Sequence, residues 1–267
     1  MHQEVFEVKS VANLSEDLPS KVADNIHSRT QVGAVILLGA PGVGKGTQAR
    51  ELSKWWGIPQ ISTGDLLRSN VEKDTSLGRT AKEFMDIGEL VPDSLIKKMV
   101  EARLDQPDTA RGYILDGFPR TLDQTVWLIE KITALPEKFP VFAVRIHVSR
   151  SQLLRRITGR RHCPLCQATF NLYENPPQTY GVCDRDNTTL IRRPDDTEET
   201  LNRRLDLYDR LTSPVIEHLR THGQFVEVSG DGPIEWIKQR ILGAHYLAAS
   251  EPNTDANCAQ TIQDQRP

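Results

Sequence analysis

The sequence lacks the features that would place the protein in a membrane or on a nucleic acid. No apolar run approaches the roughly 18 residues that a membrane-spanning helix requires. The N-terminal segment contains acidic residues and no continuous apolar stretch, so it does not predict a secretory signal. The 36 Asp and Glu residues outnumber the 33 Lys and Arg residues, which gives a formal net charge of −3. We therefore expect neither a membrane nor a nucleic acid as a partner.

Cysteine is also scarce, with four residues in 267. Cys163, Cys166 and Cys183 lie close together in the chain, whereas Cys258 is isolated near the C-terminus. A cluster of three with a C-x-x-C spacing favours a metal site in a reducing compartment over a framework of disulfides. We therefore expect a cytoplasmic protein.

Short apolar runs alternate with longer helical patterns along most of the chain. Runs such as AVILL at 34–38 are apolar on both faces, as a parallel strand buried between helix layers requires. The predicted strands are Ala34–Leu38, Gln60–Ser62, Tyr113–Leu115, Val141–Val148 and Gln224–Val228. The predicted helices are Lys45–Trp56, Asp93–Leu104, Leu122–Leu135, Ser151–Ile157, Asp196–Thr221 and Pro233–Tyr246. This alternation predicts an α/β fold with a doubly wound, five-stranded parallel sheet, and two segments that interrupt it predict insertions near 63–92 and 159–194.

The segment GAPGVGKGT at 39–47 follows the first predicted strand and opens a helix, which is the context of a Walker-type phosphate-binding loop. Its glycines let backbone N–H groups turn toward a phosphate, and the helix N-terminus adds partial positive charge. Lys45 can reach the terminal phosphate oxygens. The next residue is Gly46 and not Ser or Thr, so we expect Mg²⁺ to be held by phosphates and water.

Three further segments follow this loop: QISTGDLLR at 60–68, GELVPD at 88–93 and GYILDGFPRTLDQ at 112–124. In order and spacing, the four segments resemble those of the adenylate kinase family, over roughly residues 33–247. The resemblance implies a P-loop kinase that transfers a phosphoryl group from Mg²⁺-ATP to AMP, giving two ADP, and that acts as a monomer. Two alternatives remain open. One is the same fold with another nucleotide pair (a GTP:AMP phosphotransferase or a UMP/CMP kinase), and the other is a zinc-ribbon P-loop protein that binds nucleic acid.

The resemblance also implies a division of the chain. The expected parts are an N-terminal extension at 1–32, a core formed by 33–62, 93–158 and 195–247, a nucleoside-monophosphate-binding insertion at 63–92, a zinc-binding lid at 159–194 and a disordered tail at 248–267.

Site residues are carried over from the family position by position. Arg68 and Arg120 are expected to bind the AMP phosphate, because planar guanidinium groups suit a dianionic phosphate, and Gln124 is expected to read the adenine edge. The other residues expected at the AMP site are Thr63, Glu89, Leu90, Val91, Gly117, Phe118, Pro119, Arg193 and Arg204. Those expected at the ATP site are Gly42, Val43, Gly44, Lys45, Gly46, Thr47, Arg156, Arg160, Thr169, Phe170 and Gly232. Asp116 is expected to hold the water shell of magnesium, with help from Asp65.

Paired arginines flank the second insertion. The family positions Arg156, Arg160, Arg193 and Arg204 are expected to converge on the transferring phosphoryl group, while Arg155, Arg161, Arg192 and Arg203 face solvent or pair with acids. Asp195 and Asp196 are expected either to aim the arginines or to stabilise a helix N-terminus by their charge. With Lys45, Arg120 and Asp116, the four converging arginines form the expected catalytic set. The acceptor phosphate oxygen is already ionised at neutral pH, so no general base is required, and catalysis comes from positioning and charge neutralisation.

A metal site is predicted inside the second insertion. Cys163 and Cys166 form one x₂ pair, and Cys183 and Asp186 form a second after a hairpin-length stretch, which is a zinc-ribbon spacing. Zinc-lid adenylate kinases resemble this pattern, and some of them use Cys₃Asp. With all four positions filled, the Zn²⁺ is expected to be structural. His162 is an alternative fourth ligand of poorer geometry, and Phe170 is expected either to contact ATP or to pack inside the lid.

Overall fold

The structure, a computed structural model, describes residues 32–135, 139–222 and 224–250. Its strands in chain order are β1 (Gly33–Leu38), β2 (Gln60–Ser62), β3 (Gly112–Asp116), β4 (Val141–His147), β5 (Arg160–His162), β6 (Thr169–Asn171) and β7 (Gln224–Ser229). Five of them form a parallel sheet in the order β2-β3-β1-β4-β7, which confirms the predicted α/β fold and the predicted strand number. The remaining two, β5 and β6, form an antiparallel ribbon.

Helices cover both faces of the sheet. They are α1 (Lys45–Trp56), α2 (Thr63–Glu72), α3 (Ser76–Ile87), α4 (Asp93–Leu104), α5 (Leu122–Thr133), α6 (Arg150–Gly159), α7 (Glu198–Leu207), α8 (Ser213–His222) and α9 (Ile234–Ser250). Every residue of β1 is buried. Val35 and Leu37 pack into the core on one face, and Ala34, Ile36 and Leu38 pack into the core on the other, as the two-residue period of a strand dictates.

The sheet positions a ligand crevice beside β1. This strand pairs with β3 on one side and with β4 on the other, so the strand order reverses at β1, and ligands of open α/β sheets bind outside the carboxyl ends of the strands at such a point. The register places Leu37 of β1 opposite Asp116 of β3. The carboxylate at the end of β3 therefore lies next to the phosphate loop.

The helix predicted at Asp196–Thr221 forms as one helical run over 198–222, but it contains a π-helical turn that the sequence did not predict. The chain first forms α7, capped by Thr197, whose side chain accepts a hydrogen bond from the Thr200 N–H. A five-residue π-helical turn at Tyr208–Thr212 then separates α7 from α8. Pro214 lacks the N–H that a regular α-helix would need at that position, which accounts for the π-helical turn just before it.

The segment at 63–92 forms two helices, α2 and α3, which pack closely against each other. A Cβ atom added to Gly78 of α3 would lie 2.0 Å from the Asn70 carbonyl oxygen of α2, so only glycine permits this approach. At the C-terminus, α9 continues to Ser250, beyond the predicted boundary at 248. The rest of the expected tail, with Cys258, and most of the expected N-terminal extension lie outside the described residues. Within the described part of the chain, no helix combines the length and the apolar character needed to cross a bilayer.

Candidate active site

A cavity of about 540 Å³ opens at the carboxyl end of the sheet. It is lined by the phosphate loop, by α2, by the segment after β3 and by residues of β6 and α7. Every residue predicted at the two nucleotide sites lines this cavity except Phe118. The Phe118 side chain is only 1% exposed and packs edge-on against Trp127 in the core, because its neighbours Gly117 and Pro119 turn the backbone and not the ring toward the cavity.

Lys45 lies at the floor of the cavity. Its Nζ donates hydrogen bonds to the carbonyl oxygens of Gly39 at 2.7 Å and Ala40 at 3.0 Å, so the loop wraps around the ammonium group. Desolvation lowers the pKa of Lys45 to about 8, against the opposing attraction of Asp116. An anionic phosphate bound in the loop would stabilise the charged form of Lys45, which desolvation destabilises.

Gly46 explains how the loop accommodates a carboxylate. A Cβ atom at this position would lie 3.1 Å from Oδ2 of Asp116, so a larger residue would crowd the Asp116 side chain. Burial raises the pKa of Asp116, and Gln60 donates a hydrogen bond to its Oδ2 at 3.2 Å. Asp116, Asp65 and Thr47 all line the cavity, and the charge of Asp65 acts on Asp116. Carboxylate and hydroxyl oxygens are the donors that Mg²⁺ prefers, so this donor set fits the metal that accompanies ATP.

Guanidinium groups dominate the electrostatics of the cavity. Burial and repulsion from Arg204 lower the pKa of Arg120 to about 10. Burial and repulsion from Arg68 and Arg160 likewise lower the pKa of Arg193 to about 10. The Nε of Arg193 is buried and makes no hydrogen bond to the described residues. Cations that repel one another and keep an unused donor form a site suited to polyanions.

Aspartate side chains hold two other arginines of the cavity, Arg160 and Arg204, in place. Asp196, which is fully buried, binds the Arg160 guanidinium through both carboxylate oxygens. Asp195 binds Arg204 at 2.5 Å, and α7 begins only after these two aspartates.

Arg156 bridges three parts of the protein. It donates to the Glu174 carboxylate at 2.8 Å, to the Val43 carbonyl oxygen of the phosphate loop at 3.2 Å and to the Gly230 carbonyl oxygen at 2.9 Å. Arg193 approaches Asp65 at 3.9 Å, which connects the segment at 159–194 to α2.

Four arginines were predicted to face solvent or pair with acids, and none of them lines the cavity: Arg155, Arg161, Arg192 and Arg203. Arg203 pairs with the exposed Glu199, as predicted for an arginine outside the site. Arg155 lies over the Tyr173 ring, and Arg161 and Arg192 donate to backbone carbonyl oxygens.

One part of the cavity wall belongs to a single hydrophobic cluster, and we call this part the apolar slot. Leu67, Met85, Val91 and Ile96 line it, and Gln124 contributes a polar group although it is only 2% exposed. Sequence reasoning missed the apolar residues of this slot other than Val91, because their spacing is that of ordinary core positions. It also missed Arg50, which lines the cavity one turn beyond the phosphate loop.

Four side chains that the sequence predicts as metal ligands meet in the second insertion. One ligand atom from each of Cys163, Cys166, Cys183 and Asp186 lies within 4.8 Å of the others. The Cys166 and Cys183 sulfurs are 3.5 Å apart, close to the roughly 3.8 Å that tetrahedral Zn–S bonds of about 2.3 Å imply. His162 is outside this group, and burial lowers its pKa to about 4.

Phe170 packs inside the second insertion, as one of the two sequence interpretations predicts, and it also lines the cavity, whereas its predicted contact with ATP stays a prediction. It is 7% exposed, packs with Cys163, Cys183, Ala168 and Leu190 in a small separate cluster, and also lines the cavity. This cluster contains five buried residues, which is too few to hold the insertion together by hydrophobic burial alone.

A parallel sheet, a lysine-bearing phosphate loop and a ring of arginines around one cavity define a P-loop nucleotide kinase. The protein-family model described as adenylate kinase matches residues 37–224. The adenylate kinase of Nitrosococcus oceani is 44% identical over 207 residues, which cover 77% of this chain and 95% of that protein. The adenylate kinase of Clostridium perfringens is 44% identical over 213 residues, covering 79% and 98%, and that of Archaeoglobus fulgidus is 45% identical over 207 residues, covering 78% and 95%. The chain belongs to the adenylate kinase family, whose members are nucleoside monophosphate kinases.

Proposed function

We propose that the protein reversibly transfers the terminal phosphoryl group of Mg²⁺-ATP to AMP, giving two ADP. The observation that carries this proposal is the single cavity that joins the phosphate loop to the slot beside Gln124, with arginines between them. The donor occupies the loop end, against Thr169, Phe170 and Gly232. The acceptor occupies the slot, with its phosphate between Arg68 and Arg120.

Catalysis follows from the charges around the transferred group. The acceptor oxygen of AMP is ionised at neutral pH, so it attacks without a general base. Lys45 neutralises the terminal phosphates of the donor, and Arg156, Arg160, Arg193 and Arg204 offset the charge on the moving phosphoryl group. Magnesium, when bound with ATP near Asp116, supplies further charge neutralisation. Holding two mutually repelling anions in line is the main contribution of the protein.

Measuring ADP formation over a panel of donors and acceptors tests this proposal. We expect AMP-dependent consumption of ATP with two ADP formed per AMP, and much slower reaction with UMP or CMP as acceptor or GTP as donor. Fast UMP turnover without AMP turnover would assign the protein to another nucleotide pair. Salt-dependent binding of DNA or RNA without phosphoryl transfer would support the nucleic-acid alternative.

We further propose that Cys163, Cys166, Cys183 and Asp186 hold a structural zinc ion. Three thiolates and one carboxylate satisfy tetrahedral Zn²⁺ and leave no open position for a substrate. The cluster of five buried side chains around them is small, so the metal would supply much of the stability of the segment at 159–194.

The substitution Asp186→Ala tests the zinc site. We expect metal analysis to show less than one zinc per chain and the thermal midpoint to fall, because one of the four ligands is lost. Asp184→Ala is the matched control, since Asp184 is an exposed carboxylate in the same turn whose Oδ1 accepts only a backbone hydrogen bond from Gln178 among the contacts described. Full zinc content in Asp186→Ala would point to a different fourth ligand.

We also propose that the segments at 63–92 and 159–194 move as a nucleoside-monophosphate-binding insertion and a lid, relative to a core of 33–62, 93–158 and 195–247. Closure would exclude water, which otherwise could accept the phosphoryl group. Hydrogen exchange in both segments should slow when ATP and AMP are added together. A slowing confined to the phosphate loop would contradict this division.

The proposed enzyme is a cytoplasmic monomer that acts on free nucleotides. All residues predicted at the two nucleotide sites except Phe118 line one cavity of a single chain, which supports the monomer. Sedimentation at micromolar concentration, with activity measured across the same range, tests this state. Activity that rises with protein concentration per mole of chain would indicate an active oligomer.

A further inference from the structure

The side-chain amide of Gln124 makes two hydrogen bonds inside the protein. Its Oε1 accepts from the backbone N–H of Arg120 at 2.8 Å, and its Nε2 donates to Oδ1 of Asp93 at 2.6 Å. A primary amide has two N–H donors and two acceptor lone pairs, so one of each remains. Because Gln124 is almost fully buried but lines the cavity, the remaining pair is available only to a ligand in the apolar slot.

These two partners fix the orientation of the amide. A backbone N–H can only donate, and a carboxylate can only accept. Rotating the amide by 180° would bring two donors together at Arg120 and two acceptors together at Asp93. The amide therefore presents a free lone pair on Oε1 and a free N–H on Nε2 in a fixed order.

Asp93 is itself held in place. Its Oδ2 accepts a hydrogen bond from the Thr121 hydroxyl at 2.5 Å. The same hydroxyl accepts the backbone N–H of Gln124 at 3.2 Å, as the N-cap of α5. Asp93 stands at the start of α4, so the network ties the first turns of two helices to one amide.

We propose that Asp93 is a specificity-determining positioning residue, which holds the Gln124 amide in the one orientation that accepts a 6-aminopurine and rejects a 6-oxopurine. Adenine presents an amino donor at C6 beside an acceptor at N1, which matches the fixed lone pair and the fixed N–H. A 6-oxopurine presents a carbonyl acceptor beside an N1–H donor, which opposes both. This inference takes one point from the proposed function, namely that the base of the acceptor nucleotide binds in the apolar slot.

The unmodified protein provides the first test, by calorimetric titration with three nucleoside monophosphates. AMP carries the matching edge, purine riboside monophosphate lacks the group at C6, and inosine monophosphate carries the opposing edge. We expect AMP to bind most tightly and inosine monophosphate to bind about tenfold or more weaker than purine riboside monophosphate, since a buried polar mismatch is costlier than a missing bond. Inosine monophosphate binding as tightly as purine riboside monophosphate would overturn the proposal, because an amide free to rotate would accommodate it.

The substitution Asp93→Ala provides the second test. We expect AMP affinity to fall about tenfold and the gap between purine riboside monophosphate and inosine monophosphate to narrow to about threefold or less, with KM for ATP unchanged. Asp93→Asn should restore most of the discrimination, because its Oδ1 can still accept from Nε2. An equal loss for all three monophosphates, without rescue by Asp93→Asn, would indicate a merely structural role and overturn the proposal.

Asp123→Ala is the matched control. Asp123 is an exposed carboxylate in the first turn of α5, and it pairs with Lys97 at 2.6 Å without touching the amide. We expect it to leave the order of the three monophosphates unchanged. If Asp93→Ala does not fold, the titration of the unmodified protein and of Asp93→Asn still decides the matter. Failure to form ADP with the expected binding order intact would refute the proposed function alone, whereas ADP formation with no discrimination would refute the orienting role alone.

Discussion

Lys45→Met should remove phosphoryl transfer and at the same time stabilise the ligand-free protein at neutral pH. The pKa of Lys45 is lowered from 10.5 to about 8, so holding this cation in the empty loop costs about 3 kcal/mol at pH 7. Methionine has a similar length and no charge. It forfeits the two hydrogen bonds to the Gly39 and Ala40 carbonyl oxygens, worth about 1 kcal/mol each. The net expectation is a free energy of unfolding about 1 kcal/mol higher than that of the unmodified protein.

The sign of this effect depends on pH. The folded-state pKa of Lys45 lies below the unfolded value, so the cost is fully present below pH 8 and is relieved as pH rises from about 8 toward 10.5. The advantage of Lys45→Met, about 1 kcal/mol at pH 7, should therefore fall by about 2 kcal/mol and become a disadvantage of about 1 kcal/mol at pH 9.5.

Urea unfolding at these two pH values measures the effect, in buffers without phosphate, sulfate or nucleotide, which would occupy the loop. Lys54→Met is the matched control, because Lys54 lies on the same helix, is 60% exposed and pairs only with Glu51 among the ion pairs described. We expect the control to change the free energy of unfolding by less than about 0.5 kcal/mol at either pH. A Lys45→Met protein that is less stable at pH 7, by an amount that does not vary with pH, would refute the reasoning.

Two further substitutions probe the arginines. Arg120→Ala should raise KM for AMP about tenfold or more while changing KM for ATP less than about threefold, because a charge-assisted bond to the acceptor phosphate is lost. Steady-state kinetics with each nucleotide varied in turn measure the two KM values. An equal rise in both would show that Arg120 does not belong to the acceptor site. Asp196→Asn should lower the free energy of unfolding by about 3 kcal/mol in urea, because it leaves Arg160 without its buried partner, whereas Glu199→Gln, at an exposed ion pair, should cost less than about 1 kcal/mol. Equal losses in these two variants would contradict a special role for the buried pair.

Much of the fold could be predicted because the sequence patterns that indicate its strands, loops and helix starts involve only neighbouring residues. The buried run at 34–38, the glycine-rich loop and the start of α1 at Lys45 depend on neighbouring residues only, and the structure has them at the predicted positions. The π-helical turn between α7 and α8 was not predicted, because the apolar spacing of 196–221 fits one regular α-helix. Only Pro214, near its centre, indicated an interruption.

The contacts that order the site could not be predicted, because they join residues far apart in sequence. Asp93 precedes Gln124 by 31 positions, and nothing in the local pattern connects a carboxylate at one helix start with an amide on the next helix. The sequence indicated that Asp195 and Asp196 could aim arginines, but not that Asp196 binds Arg160, which lies at the other end of the second insertion. The resemblance to a known family indicated which arginines belong to the site, but not which acids hold them.

The repulsion among the arginines gives the empty site a reason to bind two nucleotides and not one. Arg120 and Arg193 each have a pKa lowered to about 10 by burial and by neighbouring arginines, so the nearby aspartates only partly balance the positive charge of the cavity. A single nucleotide neutralises the cations at its own end of the cavity and leaves those at the other end facing one another. The second nucleotide then enters a field that still attracts anions, and together the two ligands offset the repulsion between Arg193 and Arg68, which lie in the segments at 159–194 and 63–92. We therefore expect the proposed closure to be tightest when both reactants are present, which is the condition under which transfer to AMP would outcompete transfer to water.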